Sequence, residues 1–439
     1  MKYSVITFGC RVNQADSLGF EESLRERGAT AAPPEDADVV IVNTCSVTAS
    51  ADQGARQTIR RIARTNPSAR IVVTGCYATR RPDEVAMLPS VVRVVTNAEK
   101  DRLVGYLTTA ERFGNGEGSC GAAIEPGVAG RTAFTLRVQT GCDEQCSYCI
   151  IPSTRGLPRS LAPETVRAEV ARVAAAGFKE IALTGVHLGS YGEDLAMPAT
   201  LFELLKSLVT SEAESLRSRP RDGEVAADAW GWGPTRVRDA HVLFRISSLE
   251  PMDCTPEIVS LIAEHDCFAP HLHLPLQHAS NRLLEAMRRP YTVEQYATLV
   301  DDIRTRIPHA AIGSDIIVGF PGETEEDVAQ LLTYLEGSPL THLHVFPYSD
   351  RPGTEATGMS NKVPGDLVRD RARRVREVSA RLSARFHAEQ VGRAFRALTI
   401  EDGSLVVTGN YLKLRIPAGL LRNEWVSVRV GESSNWVVG

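Results

Sequence analysis

Three times in its first hundred residues the chain runs an apolar, β-branched stretch straight into a cysteine: YSVITFGC ends at Cys10, ADVVIVNTC at Cys45 and ARIVVTGC at Cys76. Runs of this length and composition read as strands, and the stretch from about Asp52 to Arg64 between two of them reads as helical. Strands that alternate with helices cross over to lie parallel, so an α/β fold with an N-terminal doubly wound parallel sheet is predicted. In such sheets ligands gather beyond the carboxyl ends of the strands, and three cysteines at three such ends can meet at one spot. Residues 111–130 are rich in Gly and small side chains and read as a linker, which bounds a first domain at residues 1–115.

A second alternating series starts near Thr132, with strands expected in FTLRVQTGC, EIALTGVHLG, LFRISSLEP, HLHLPLQH, GSDIIVGFPGE and HLHVFPYS. Amphipathic stretches such as PETVRAEVARVAAAGF, TPEIVSLIAEHD, VEQYATLVDDIRTRI and TEEDVAQLLTYLEG fill most of the gaps. Six such units over residues 131–365 predict a partial (β/α)6 barrel, again with its polar motifs at the carboxyl ends of strands. Residues 211–240, with charges, Gly, Trp230 and Trp232, interrupt the rhythm and read as a surface insertion. Beyond Pro364 a helix carries Val368, Ala372, Val375, Leu382 and Phe386 on one side. The last segment, residues 391–439, holds FRALTIED, SLVVTG, YLKLRIP and EWVSVRVG between turn residues and predicts a small all-β barrel of a kind used on nucleic acids.

Charge enters at this helix. The net charge is -5, yet from Arg369 to Arg396 nine arginines face only Asp370, Glu377 and Glu389. A basic stripe on an acidic chain is what a polyanion contact needs, and a solvated helix face is the bland alternative. No apolar run approaches the roughly 20 residues that cross a bilayer, and MKYSVITFGC lacks a basic segment followed by a long apolar one, so a cytoplasmic protein without a membrane partner is expected. Nine cysteines in such a chain read as metal ligands or reactive thiols, because a cytosolic thiol pool keeps disulfides reduced.

The sharpest chemical signal is TGCDEQCSYC, where Cys142, Cys146 and Cys149 stand at C-x3-C-x2-C spacing. One loop with three thiolates serves a four-iron cluster and leaves one iron open. Zinc, the competing ligand, normally takes a fourth Cys or His at similar spacing, and none follows nearby. Cys10, Cys45 and Cys76 carry less weight singly, since free cysteines are often small buried hydrophobes. Their common place at strand ends points to a second cluster with an open iron, against a reading as unrelated core thiols. Cys120, Cys254 and Cys267 fit no motif. His271 and His273 alternate along a strand, which explains them without a metal, and His278 follows in the next loop.

These residues resemble the radical S-adenosylmethionine superfamily, and across nearly its whole length the chain resembles that superfamily's methylthiotransferases. The likeness rests on TFGCRVNQADS, IVNTCSVT, VVTGCYA, TGCDEQCSYCIIPSTRG, the Arg159-Ser160 pair, SDIIVGFPGETEED and HVFPYSDRPGT. It implies two [4Fe-4S] clusters, one on Cys142, Cys146 and Cys149 that binds and cleaves S-adenosylmethionine, and one on Cys10, Cys45 and Cys76 that carries the sulfur to be transferred. It further implies that Tyr148 packs near the adenine and that Gly185, Ser247, Gln277 and Asp315, expected in strand-end loops, approach cofactor or substrate; each also suits a cap or turn role. Where relatives commonly have Gln-Ser-Gly, this chain has Gln277, His278, Ala279 and Ser280.

The C-terminal segment, NYLKLRI in particular, is similar to the TRAM module that binds transfer RNA. The opening GCRVNQADS and the HVFPYSDRPGT segment look most like the branch that modifies N6-threonylcarbamoyladenosine beside the anticodon. That resemblance implies a tRNA anticodon stem-loop as substrate and an electron donor such as a flavodoxin or ferredoxin. The alternatives are the branches acting on isopentenyladenosine or on a ribosomal-protein aspartate and, from another class, an iron-sulfur electron carrier.

Overall fold

The computed structural model describes residues 1–107, 126, 132–217, 235–236 and 242–431. Two compact units divide the chain. The described residues of 1–124, 139–159 and 349–358 form the first. Its elements are β1 (Lys2–Thr7), α1 (Arg11–Glu26), β2 (Thr30–Ala31), β3 (Val39–Thr44), α2 (Ala49–Thr65), β4 (Arg70–Gly75), α3 (Cys76–Arg80), α4 (Pro82–Ala86), β5 (Val91–Val95) and, later in the chain, α5 (Ile151–Arg155). The five strands form one sheet in the order β2-β1-β3-β4-β5, every pair parallel.

The sequence dictates how this sheet is covered. Every residue of β3 is buried, as expected for a central parallel strand with helices on both faces. Side chains alternate with period 2, so Val39 and Ile41 pack with Phe20 and Leu24 of α1, while Val40 and Val42 pack with Ala55, Ile59 and Ile62 of α2. The helices after β1 and β3 therefore lie on opposite faces, and the chain diverges at the carboxyl ends of these two neighbouring strands. That is a topological switch point, where a doubly wound sheet opens a crevice. Cys10 and Cys45 occupy its two sides.

The second unit holds β6 (Phe134–Arg137), α6 (Pro163–Ala175), β7 (Glu180–Thr184), α7 (Leu201–Arg217), β8 (Leu243–Ile246), α8 (Pro256–Glu264), β9 (His271–His273), α9 (Asn281–Ala286), α10 (Val293–Arg306), β10 (Ala311–Val318), α11 (Glu325–Gly337) and β11 (His342–Pro347). Strands β6, β7 and β8 pair in parallel, as do β9, β10 and β11. Isolated parallel bridges, Phe244 to Phe268 and Ser248 to His273, link the two sets. Capping boxes built by Thr292 with Gln295 and by Thr324 with Asp327 start α10 and α11.

The long helix is α12 (Gly365–Gln390), followed by β12 (Ala394–Ile400), β13 (Leu405–Thr408), β14 (Lys413–Arg415) and β15 (Trp425–Arg429) in an antiparallel sheet. Phe386 of α12 packs into its core with Ala397, Val406, Leu414 and Val426. Two expectations change here. Helix α7 runs on to Arg217, and the two-residue strand Thr235–Arg236 pairs with β15, so the segment read as an insertion begins in a helix and lends a strand to the C-terminal sheet. The rest of that segment and most of the 111–130 linker, with Cys120, lie outside the described residues.

The arginine stripe also differs from a free polyanion surface. Arg371 is buried against Glu323 at 2.8 Å, Arg373 bonds Asp370 and Glu377, and Arg374 bonds Glu325. Arg381 bonds Glu336 at 2.5 Å, and Arg385 donates to the carbonyls of Glu336, Ser338 and Leu340. Much of the stripe thus fastens α12 to α11, whose acids balance it.

Candidate cluster-binding site

In the first unit the early cysteine trio converges. Cys10 stands at the N-cap of α1, Cys45 directly follows β3, and Cys76 opens α3 after β4. Gly9 has a φ of +91°, and a Cβ placed on it would fall 2.5 Å from Cys45 Cβ and 2.6 Å from Cys45 Sγ. The backbone before Cys10 therefore passes directly over Cys45, which only glycine permits. Burial pushes the Cys45 thiol up to about 12, with a smaller contribution from the Cys10 and Cys76 thiols facing it. Three thiols crowded in this way resist ionising together unless a cation sits among them, the condition under which thiolates become metal ligands.

A positive frame surrounds them. Arg155 of α5 is buried, donates to Asn13 Oδ1 at 2.6 Å, pairs with Asp16 at 3.6 Å and reaches the Cys76 thiol. Lys100, also buried, donates to Asp16 Oδ2 at 2.6 Å. Asn97 Nδ2 lies 3.7 Å from Cys76 Sγ and donates to Thr154 O at 2.9 Å.

The later trio belongs to the same unit. Cys142 is buried, and Cys146 and Cys149 are half-buried. Gly141 has a φ of +80°, and a Cβ there would stand 1.9 Å from the Leu157 carbonyl oxygen, so the loop closes on itself. The Cys142 N–H donates to Gly156 O at 3.0 Å, the Cys149 N–H to Cys146 O at 3.1 Å, and Gln139 Nε2 to Gly141 O at 2.9 Å. Ala356 N–H fixes Ser147 O at 2.8 Å. Arg155 also donates to Thr140 Oγ1 at 3.3 Å, so one guanidinium touches the surroundings of both trios. Tyr148 is half-buried in the same loop. Each set is all thiol and offers three sulfurs, a set that would suit an iron-sulfur cluster with one iron open. Among the described residues neither trio draws its sulfurs within 4.8 Å of one another, the kind of spacing one tetrahedral ion would need.

In the second unit Gly185 and Ser247 directly follow β7 and β8. The Ser247 Oγ is buried and has no hydrogen-bond partner. Gln277 has a φ of +68° and bridges Ile316. Asp315 corrects an expectation: it sits inside β10, not in a strand-end loop, because the apolar run Ile316–Val318 extends the strand beyond it. Its Oδ1 accepts from His273 Nε2 at 2.9 Å and lies 3.2 Å from His344 Nδ1. Burial works to raise the Asp315 pKa, yet these two imidazoles outweigh it and hold the carboxyl well below the usual range. His342 beside them is pushed down to about 3, first by burial and then by His273 and His344.

His271 stacks with His342 at 5.9 Å between ring centroids and faces Tyr411 at 4.8 Å. His278 is wholly buried with neither ring nitrogen hydrogen-bonded. Cys254 and Cys267 are buried, as core thiols are. Sequence reasoning passed over Arg155, Lys100, Asp16 and His344. For Arg155 a signal existed, a cation six residues after Cys149, but nothing local shows which thiol it reaches.

Comparison with known proteins gives two family matches, Uncharacterized protein family UPF0004 over residues 2–97 and the Radical SAM superfamily over residues 136–335. A threonylcarbamoyladenosine tRNA methylthiotransferase MtaB of Aquifex aeolicus is 35% identical over 426 residues, covering 94% of this chain and 96% of that protein. A Bacillus subtilis protein of the same name is 34% identical over 93% of this chain and 88% of its own length. A tRNA-2-methylthio-N(6)-dimethylallyladenosine synthase of Thermobifida fusca is 32% identical, covering 91% and 78%. Among solved structures, the radical S-adenosylmethionine methyltransferase TsrM of Kitasatospora setae, with cobalamin and a [4Fe-4S] cluster bound, matches with a TM-score of 0.55 at 16% identity over 81% of this chain and 77% of that one. At that identity the likeness concerns the fold alone.

Proposed function

The chain belongs to the radical S-adenosylmethionine methylthiotransferases, and from that premise we propose that it transfers a methylthio group to C2 of N6-threonylcarbamoyladenosine beside the anticodon of tRNA, with two [4Fe-4S] clusters. The observation that carries this reading is the gathering of two three-thiol sets in one folded unit, with Arg155 reaching toward both. A single-cluster enzyme has no need of the Gly9 crossing over Cys45.

In this reading Cys142, Cys146 and Cys149 hold one cluster, and Cys10, Cys45 and Cys76 hold the other. When bound, these groups supply reductive cleavage of S-adenosylmethionine and a store of transferable sulfur. The chain's own residues do the placing. Arg155 and Lys100 offset thiolate charge, while Asp16 and Asn13 fix the guanidinium. Tyr148, Gly185, Ser247 and Gln277 are assigned to S-adenosylmethionine or substrate, and the unpartnered Ser247 Oγ supports this, since a buried hydroxyl without a partner is costly until a ligand answers it.

The two parallel three-stranded sets from β6 to β11, joined by isolated bridges, support a partial radical-SAM barrel over residues 131–365, following an N-terminal domain at 1–115. The antiparallel sheet of β12–β15 supports a TRAM-like RNA-binding barrel at 391–439. No helix among the described residues is long and apolar enough to cross a membrane; a tRNA substrate supports a cytoplasmic enzyme, served in this reading by an electron donor such as a flavodoxin or ferredoxin.

The test is mass analysis of an anticodon stem-loop carrying threonylcarbamoyladenosine after incubation with reconstituted enzyme, S-adenosylmethionine and reductant. A methylthio product on that nucleoside is expected. A product on an isopentenyladenosine stem-loop instead would move the enzyme to that branch, and 5'-deoxyadenosine without any methylthio product on either would reject both.

A further inference from the structure

Three neighbouring strands of the second unit bring two imidazoles and a carboxylate together in a cluster that includes no cysteine. In register, His273 of β9 is level with Gly313 of β10, and Asp315 of β10 is level with His344 of β11. The alternation of side chains puts Gly313 and Asp315 on one face of β10. Gly313 is what lets the rings close in: a Cβ there would stand 2.3 Å from His342 Nε2 and 2.8 Å from His273 Nδ1. The imidazoles lean over the vacated position, and the rings of His273 and His344 come to 4.9 Å between centroids.

Both imidazoles address the same atom. His273 Nε2 is 2.9 Å and His344 Nδ1 is 3.2 Å from Asp315 Oδ1, and all three donors lie within 4.8 Å of one another. Two ligands each about 2.1 Å from a divalent ion stand roughly 3.0 Å apart at 90° and roughly 3.4 Å apart at the tetrahedral angle. The two distances to Asp315 Oδ1 match the edges of a coordination polyhedron. Two imidazole nitrogens and one carboxylate oxygen form a borderline donor set suited to zinc or ferrous iron, with positions left over. The His344 side chain is 58% exposed, so the cluster is reachable from solvent. Among the described residues no other cluster of His, Cys, Asp and Glu meets this spacing.

We propose that His273, Asp315 and His344, which share no ligand with either cysteine trio, form a divalent-cation site of the zinc type. The test uses reconstituted enzyme whose iron and sulfide have been counted. Zinc chloride alone is added, excess is removed by gel filtration, and zinc per chain is measured by mass spectrometry in the wild type, in Asp315→Asn and in His344→Ala. Because His344 is largely exposed, its replacement leaves the core intact, and unchanged iron and sulfide verify this. About one zinc per chain is expected in the wild type and less than about a tenth of that in either variant, with nitrogen and oxygen neighbours in the zinc-edge absorption spectrum. Equal zinc in all three proteins, a sulfur shell around the zinc, or no zinc in the wild type would each overturn the site and leave a plain hydrogen-bonded trio.

Discussion

Replacing Asp16 by Asn tests the charged frame behind the early cysteine trio. The carboxylate is the counter-ion of Lys100 at 2.6 Å and of Arg155 at 3.6 Å, and none of the three side chains is more than 4% exposed. Removing one partner of a buried ion pair costs about 3–5 kcal/mol, because the surviving charge stays in a dry pocket. Lys100 has one escape, to lose its proton. Burial already lowers its pKa from the ordinary 10.5. Deprotonating an amine with that unfolded-state pKa costs about 1.36 kcal/mol per pH unit below it, hence about 4.8 kcal/mol at pH 7 and about 2.0 kcal/mol at pH 9.

The sign follows from proton counts. The folded variant binds one proton fewer than its unfolded chain below the amine's pKa, so its deficit shrinks as pH rises. Hydrogen exchange of the β3 and β4 amides reads this locally, with protection expected to fall by roughly two to four decades at pH 7 and by clearly less at pH 9. Asp302→Asn, which breaks the exposed pair with Arg306 at 2.9 Å, serves as control and costs less than about 1 kcal/mol. A deficit below about 1 kcal/mol for Asp16→Asn, or one that ignores pH, would refute the reasoning.

Two glycine variants separate the cysteine sites. Gly9→Ala presses on Cys45 and Gly141→Ala on the Leu157 carbonyl, so each is expected to cost about half of the bound iron after reconstitution, counted by colorimetric iron assay; full iron in both would remove the steric case. His278, fully buried and pushed down to about 4 mainly by burial, stays neutral in the folded chain while the unfolded chain takes up a proton below about pH 6.5. Stability therefore falls as pH drops from about 6.5 to about 4, and urea midpoints of His278→Gln lose that component of the slope, whereas identical slopes would show that His278 is solvated.

Much of the architecture was legible because its signals are local. The apolar runs before Cys10, Cys45 and Cys76 specify strands by composition, and the unbroken apolar run Val39–Val42 suits a strand covered on both faces. The six later strands and the helix from Gly365 to Gln390 follow in the same way. What was not legible depends on register between distant segments. Asp315 meets His273 and His344 only because β10 lies between β9 and β11, and no spacing in the chain announces it. The arginines of α12 looked free because their partners, Glu323, Glu325 and Glu336, stand more than forty residues away on or beside α11. The strand Thr235–Arg236 was hidden for a simpler reason: two residues carry no periodicity.

Iron and sulfide counted per chain, together with 5'-deoxyadenosine formation, in the reconstituted wild type and in two triple Cys→Ala variants test the two-cluster assignment most directly. The wild type should hold about eight irons, and each variant about four. Loss of Cys10, Cys45 and Cys76 should leave S-adenosylmethionine cleavage in place while abolishing methylthio transfer, and loss of Cys142, Cys146 and Cys149 should abolish both. Equal iron in all three proteins, or cleavage that survives without Cys142, Cys146 and Cys149, would contradict it.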